Sequence, residues 1–348
     1  MHVTRAWIAC LAPLLLSGCA IGYGLQAARG QWQLSRVSEP IADVLSRPDT
    51  STQLRAQLRS VQSAREFAVH DLQLPDNKSY TRYAELRRPY LVWNVVATPE
   101  LSLTPRRWCF PVAGCVGYRG YFRERSADRF ATRQRRRGDD VMVGGVPAYS
   151  TLGYFADPVP DTLLRYGELA VAETVMHELA HQRLYVPGDS DFNEAFATVV
   201  AQAGLTRWLQ AQGRSDDLRR ITQRQVAERE FESLLIKARH ALSQLYVSSV
   251  PANDKRRTKA QMFSQLATEL LAAEKRHGSS TVYSEWARSG LNNAHLAALA
   301  TYSRCVPGLQ RLLTAVGGDI ATFYQRAESL AKAAPVERWQ AVCNDAAD

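Results

Sequence analysis

A chain of 348 residues, 46% apolar and 22% charged, is long enough to bury a large core as one domain or two closely packed ones. Nothing in it is low-complexity and no repeat recurs at a fixed period, which excludes a disordered tail, a fibre or a solenoid. The formal charge of +9 is spread along the chain except at Arg133-Gln134-Arg135-Arg136-Arg137, a run that reads as a solvated face.

Residues 1–18 read as an export segment. Arg5 supplies a positive start, and Ala6 to Leu16 is an apolar run too short to span a bilayer as a stable helix. It ends in Leu16-Ser17-Gly18-Cys19, which resembles a bacterial lipobox; the resemblance implies that Cys19 is lipidated and becomes the mature N-terminus. An ordinary signal peptide or an uncleaved anchor is the alternative. Ala20, not Asp, follows the cysteine, and by analogy with lipoprotein sorting this points to the outer membrane, facing the periplasm. The expected partners are a membrane, reached through the lipid anchor, and no nucleic acid.

The remaining cysteines agree with an oxidising compartment. Cys10 leaves with the export segment and Cys19 takes lipid, so Cys109, Cys115, Cys305 and Cys343 remain. Cys109 and Cys115 flank Phe-Pro-Val-Ala-Gly, which can turn tightly, and are expected to pair; Cys305 and Cys343 then pin the C-terminal tail. No C-x-x-C occurs, which argues against a cysteine zinc site.

Residues 19–79 are expected to be a tether and a helical segment, because Leu54, Leu58, Val61, Ala64, Phe67 and Ala68 recur at spacings of three and four. Leu74-Pro75-Asp76-Asn77 ends that pattern. Residues 80–160 change character: Tyr90 to Ala97, Val116 to Phe122 and Asp140 to Val146 read as strands of a small, mostly antiparallel sheet. From residue 161 to 348 the pattern is helical. Asp161 is placed to N-cap a long helix running to about Tyr185, and Phe192 to Leu209 forms the next. Four more follow, roughly at Leu218–Val247, Lys255–Lys275, Leu291–Tyr302 and Ile320–Ala334. The expected fold class is α+β, with a small sheet beside a helix pair, capped by a helical C-terminal half.

The chemistry sits on the first helix of that pair. His177-Glu178-x-x-His181 puts two imidazoles one turn apart on one helical face, where both can bind one Zn2+. Glu178 lies on an adjacent face, within reach of a water on that metal. A metzincin would carry glycine and histidine where this chain has Leu184 and Pro187, so that class is excluded. Glu194 is the favoured third ligand, since a short turn would bring the first turn of the next helix back to the metal, with Ala195 and Ala197 allowing close packing. Asp189 and Asp191 are rivals, although Pro187-Gly188-Asp189-Ser190 has turn chemistry and Asp191-x-x-Glu194 fits a capping box.

His177-Glu178-x-x-His181 followed by Asn193-Glu194-Ala195-Phe196-Ala197 resembles the gluzincin metallopeptidases of the aminopeptidase N type, with a shorter spacing. Tyr149 to Phe155, Tyr185-Val186, Phe192-Asn193-Glu194 and Asn292-Asn293-Ala294 resemble the bacterial putative aminopeptidase lipoprotein family, over about Phe67 to Tyr324. The resemblance implies a zinc peptidase acting on peptides. Glu178 would be the general base. Tyr246, at a spacing comparable to the aminopeptidase N tyrosine, would stabilise the oxyanion, with Tyr149, Tyr154 and Tyr302 as rivals. Glu173, one turn before His177, is a candidate to orient that imidazole. His240 and His295 receive no role. Asp157 is the expected recogniser of a substrate α-ammonium, on the expectation that Tyr149 to Pro158 runs past the metal as an extended edge. An endopeptidase, a peptidoglycan stem-peptide amidase and a non-catalytic envelope assembly factor remain alternatives.

Overall fold

A computed structural model describes residues 18–110, 114–278 and 281–343, with side chains at 22–110, 114–278, 281–299 and 304–343. The export segment and the side chains of Cys19 and Tyr302 therefore lie outside the described residues. The protein is α+β and rich in helix, with small antiparallel and mixed sheets.

The N-terminal third supplies α1 (Gly18–Val37), β1 (Ser38–Pro40), α2 (Ile41–Ser46) and α3 (Thr52–His70). α3 starts where the Ser51 hydroxyl accepts from the Leu54 N–H, and it buries Leu58, Val61, Ala64 and Ala68, the face that the three-and-four spacing marks. Three short strands, β2 (Arg82–Ala84), β1 and β8 (Val159–Pro160), form a mixed sheet in the order β1-β2-β8.

The larger antiparallel sheet has the order β6-β3-β7, from β3 (Val92–Pro99), β6 (Tyr118–Tyr121) and β7 (Asp139–Val146). Between β3 and β6, the hairpin of β4 (Trp108–Phe110) and β5 (Gly114–Val116) sets Cys109 directly opposite Cys115. Their sulfurs are at bonding distance, 1.92 Å, as are those of Cys305 and Cys343 at 2.00 Å. One face of the sheet buries Trp93, Val95, Tyr121 and Val141 against Ala127, Phe130 and Ala131 of α4 (Glu124–Arg135). The arginines of the basic run stand exposed at the end of α4, as a solvated face should.

The helix expected from Asp161 to Tyr185 is two helices, α5 (Asp161–Leu164) and α6 (Glu168–Arg183), broken at Gly167 with φ +84°. Asp161 does not cap it; its carboxylate accepts from the Leu86 and Arg87 N–H groups instead. α6 packs antiparallel-wise on α7 (Ser190–Ala211) after a short return. The close approach is sterically specified: a Cβ on Gly204 would lie 2.4 Å from Leu72 and 2.9 Å from the Met176 sulfur.

The C-terminal half adds α8 (Ser215–Val247), α9 (Ala252–His277), α10 (Val282–Ser289), α11 (Asn293–Ser303), α12 (Val306–Ala315), α13 (Ile320–Lys332) and α14 (Pro335–Val342). The main core runs from Ile41 to Cys343 and includes both faces of the α6–α7 pair. Phe196 of α7 stacks on Phe323 of α13 at 5.7 Å, and the Cys305–Cys343 pair is buried in the same core. α8 and α9 share a second core of Phe231, Leu235, Leu242, Leu266 and Leu270. No described helix is long and apolar enough to cross a membrane.

Candidate metal centre

The two histidines of α6 turn their rings into the gap between α6 and α7. His177 Nε2 lies 3.1 Å from His181 Nε2 and 3.3 Å from Glu194 Oε2, and His181 Nε2 lies 3.6 Å from the same oxygen. Among the described residues, these three form the group of His, Cys, Asp or Glu whose ligand atoms lie within 4.8 Å of one another.

Those separations test the fit of a zinc ion. Ligand atoms at 2.0–2.1 Å from zinc and tetrahedrally disposed stand about 3.3 Å from one another. The three observed separations bracket that value, and the donor set, two imidazoles and one carboxylate, is one that zinc accepts in sites with an open fourth position. The residues fit the ion.

Glu194 is free to serve because its rivals are engaged elsewhere. Asp189, not Asp191, caps α7 by accepting from the Phe192 N–H at 3.2 Å, and its other oxygen meets Arg338 Nε at 2.7 Å. Asp191 faces Arg304 at 3.2 Å. The return between the helices is held by Asn193, whose buried amide accepts from the Val186 N–H and donates to the Val186 C=O.

Electrostatics tie the cluster together. Burial pushes the Glu194 carboxyl up, but His181 and His177 outweigh it and hold it well below the usual carboxylate range. For His181, burial disfavours the charged ring, yet Glu194 and Glu178 leave its pKa raised. Burial is also the leading cause that raises the Glu178 carboxyl, opposed by the two histidines and by a main-chain hydrogen bond from Ser150. A raised carboxyl in the same cavity as His177, His181 and Glu194 suits proton transfer.

All four residues line one cavity of about 1240 Å³. Its wall also includes residues of α1, β3, the β4–β5 hairpin, β6, the segment after β7, and both α6 and α7.

A family model described as "Putative aminopeptidase" matches residues 22–342. The chain belongs to that family. Comparison with curated proteins and with solved structures finds no match.

Within this aminopeptidase-family fold, three expected assignments are corrected by geometry. Tyr246 does not reach the cavity. It sits in the last turn of the 33-residue α8, packs in the second core, and donates its hydroxyl to Asn293 Oδ1 at 2.8 Å. The spacing argument failed because an unbroken helix extends about 1.5 Å per residue and carries Tyr246 away. α8 passes the centre near Arg224, which meets Glu173 at 2.5 Å. That contact is the second correction, since Glu173 pairs with Arg224.

Asp157 is the third. It is 2% exposed and does not line the cavity. Its carboxylate accepts from the Thr151 N–H at 2.8 Å and from the Thr151 hydroxyl at 2.8 and 3.0 Å. The segment from Tyr149 to Pro158 is no extended edge: Leu152 and Gly153 adopt positive φ of 57° and 81°, and Asp157 closes the resulting turn. Gln182, donating to the Ser79 and Ser150 hydroxyls, holds this turn against α6. Asp157 thus braces the loop that presents the Ser150 N–H to Glu178.

The tyrosines that do face the centre are Tyr118 and Tyr185. Tyr118 and Tyr185 line the same cavity as Glu178 and Glu194, and burial raises the Tyr118 hydroxyl, helped by Glu194, Tyr185 and Glu178. The Tyr185 ring lies 6.3 Å from that of His181, and burial followed by Glu194 raises its hydroxyl. Of the named rivals, Tyr149 bonds to Gln31 of α1 and Tyr154 stands 69% exposed at the rim. His240 is on the surface, and His295 is buried beside Asn292 and Trp286, its pKa lowered by burial to about 4.

Proposed function

We propose that the protein is a zinc-dependent peptidase of the gluzincin type on a zincin-like scaffold. The single observation that carries this reading is the spacing of His177, His181 and Glu194, which matches one tetrahedral ion, with Glu178 one residue from the first ligand in the same cavity. When bound, zinc would polarise a substrate carbonyl and make a water acidic enough to attack at neutral pH.

The rest is work for the chain's own residues. His177, His181 and Glu194 hold the ion. Glu178, with its carboxyl raised by burial, takes the water proton and delivers it to the leaving amine. The Ser150 N–H keeps that carboxylate aimed. Tyr118 and Tyr185 supply hydroxyls for negative charge that develops on the carbonyl oxygen. The cavity wall is largely apolar, with Val92, Val116, Leu152 and Phe155 among its residues, which suits apolar peptide side chains and excludes bulk water.

The place of action in this proposal is the periplasmic face of the outer membrane, with a lipid on Cys19 as tether. Its support is the Leu16-Ser17-Gly18-Cys19 sequence and the two cysteine pairs, which suit an oxidising compartment. Cys19→Ser should move the protein from the membrane to the soluble fraction; retention in the membrane would reject the tether. Metal analysis of purified protein, followed by digestion of a peptide library, tests the enzyme itself. One zinc per chain with hydrolysis abolished by a chelator is expected. Hydrolysis that survives complete removal of metal would overturn the reading.

A further inference from the structure

The free edge of β6 is partly occupied, and α1 occupies it. β6 bonds to β3 on one side only, and Tyr118, Gly120 and Phe122 line the cavity. In a strand, outward N–H and C=O groups belong to alternate residues. Gly120 turns its C=O outward to accept from Gln26 Nε2 at 3.3 Å, and its N–H meets the Tyr23 hydroxyl. Phe122, the next outward residue, donates its N–H to Gln26 Oε1 at 3.3 Å, while its C=O accepts from Arg88 at 2.8 Å. One side-chain amide thus bridges the C=O of Gly120 and the N–H of Phe122, as the main chain of an added strand would.

Alternation gives Tyr118, two residues earlier, the same outward direction, and its side chain is the one that faces Glu194 and Glu178. The edge is therefore closed from Gly120 onward, and Tyr118 is the outward residue that lines the cavity with His177, His181 and Glu194. α1 is a fixed wall here: its Gly30 backbone lies directly on the Phe122 ring, where a Cβ would come within 2.1 Å. Leu34 is buried with Leu91 and Val92, and Arg119 lies 4.1 Å over the Tyr23 ring.

We propose that Gln26, with Tyr23, is a specificity-determining stop on the substrate-binding edge, the device that would restrict cleavage to the N-terminal end that the family description implies. This rests on the peptidase reading above. A peptide adding to β6 pairs better antiparallel than parallel. Antiparallel pairing sends the substrate's N-terminal residues from Tyr118 toward Phe122, into the stop. The stretch from Tyr118 to Gly120 leaves room for about two residues, at roughly 3.4 Å each, before the bond to be cut. The N-terminus is thus selected by a blocked subsite.

The test uses the full chain loaded with zinc and a long apolar peptide, with products read in time by mass spectrometry. Fragments of one or two residues should leave the N-terminus first, with internal cleavage slower by about tenfold or more. In Gln26→Ala, internal cleavage should gain about tenfold relative to N-terminal release. Tyr23→Phe, which keeps the ring contacts, should shift the ratio the same way by a smaller factor, and it serves where Gln26→Ala fails to fold. Binding supplies a readout without turnover. In Glu178→Gln protein, lengthening a peptide at its N-terminus should weaken binding about tenfold, and adding Gln26→Ala should erase that penalty. First products from the C-terminus, internal cleavage as fast as terminal in the parent, or an unchanged ratio in both variants would overturn the stop while leaving the peptidase reading standing. Failure to cut any peptide when zinc-loaded would overturn the peptidase reading itself.

Discussion

Asn193 holds Val186 by both of its main-chain polar groups, each bond 2.8 Å long. The pairing is what folds α7 back on α6 and so delivers Glu194 to the two histidines. Asn193→Ala leaves the Val186 N–H without its acceptor, at about 1–3 kcal/mol, while the Val186 C=O still accepts from the Asp189 N–H at 3.1 Å. We expect a stability loss of about 1–3 kcal/mol and a zinc affinity weaker by about tenfold or more. Asn193→Asp keeps the acceptor and loses the donor, so it should fall between. Urea unfolding with and without zinc measures both effects. Wild-type zinc affinity in Asn193→Ala would mean that α7 finds its place without this clamp.

The ligand set predicts a sharp contrast between neighbours. Glu194→Gln and His181→Ala should each release zinc, because each removes one of the three donors grouped among the described residues. Asp191→Asn should retain it, because Asp191 faces Arg304. Glu178→Gln should keep the metal and lose turnover by about a hundredfold or more. Metal content per chain and hydrolysis rate, taken on the same preparations, separate these outcomes; zinc lost from Asp191→Asn but kept by Glu194→Gln would exchange their roles.

How much of this could be read from sequence follows from the range of the contacts. The histidine pair is local, set by helical periodicity, and Glu194 follows across one short turn, so both were legible. The disulfide of Cys109 and Cys115 was legible for the same reason, and its partner pair by elimination. Tyr118 was not, because it reaches Glu194 across a sheet edge and many residues of intervening chain. The strand pattern showed that Tyr118 lies in a strand but not which element packs against it. Tyr246 and Asp157 were misassigned by one kind of error, a linear distance taken as a spatial one. The unbroken α8 carries Tyr246 to its far end where a spacing resemblance placed it at the metal, and Leu152 and Gly153 turn the chain where extension was expected. The docking of α1 over the cavity had no signal in its own sequence, whose exposed and buried positions both include apolar residues.

The corrected tyrosine makes its own prediction. Tyr118→Phe removes a hydroxyl from the cavity that Glu194 and Glu178 also line, without changing the ring. Loss of one donor to a developing oxyanion typically costs about a hundredfold in kcat, with KM little moved. Zinc content should be unchanged. Tyr246→Phe breaks only the bond to Asn293 and should cost about 1 kcal/mol in stability with turnover intact. The reverse pattern, with Tyr246→Phe inactive and Tyr118→Phe active, would restore the aminopeptidase N analogy and reject the assignment made from the cavity wall.

Asp157 should reveal its structural role through pH. Burial is the main cause that raises its carboxyl from 3.8 to about 6, while the hydrogen bonds from Thr151 pull the other way. An acid raised by folding binds its proton more tightly in the folded chain than in the unfolded one. Between about pH 4 and 6 the folded state therefore holds more protons, and stability falls as pH rises through that window. The shift corresponds to about 3 kcal/mol at most. Asp157→Asn cannot ionise, so its stability should lack this decline, and it should overtake the wild type relative to their values at about pH 4 as pH approaches 7. Urea unfolding at about pH 4, 5, 6 and 7, with a chelator throughout so that metal-linked protons do not enter, gives the comparison. Parallel curves for the two proteins would mean that Thr151 keeps Asp157 ionised in the fold at little cost. The same variant should discriminate between free and acetylated N-termini as the wild type does, because a carboxylate closing the Thr151 turn has no contact to offer a substrate ammonium; a selective loss of activity on free-amine peptides would return Asp157 to the binding site.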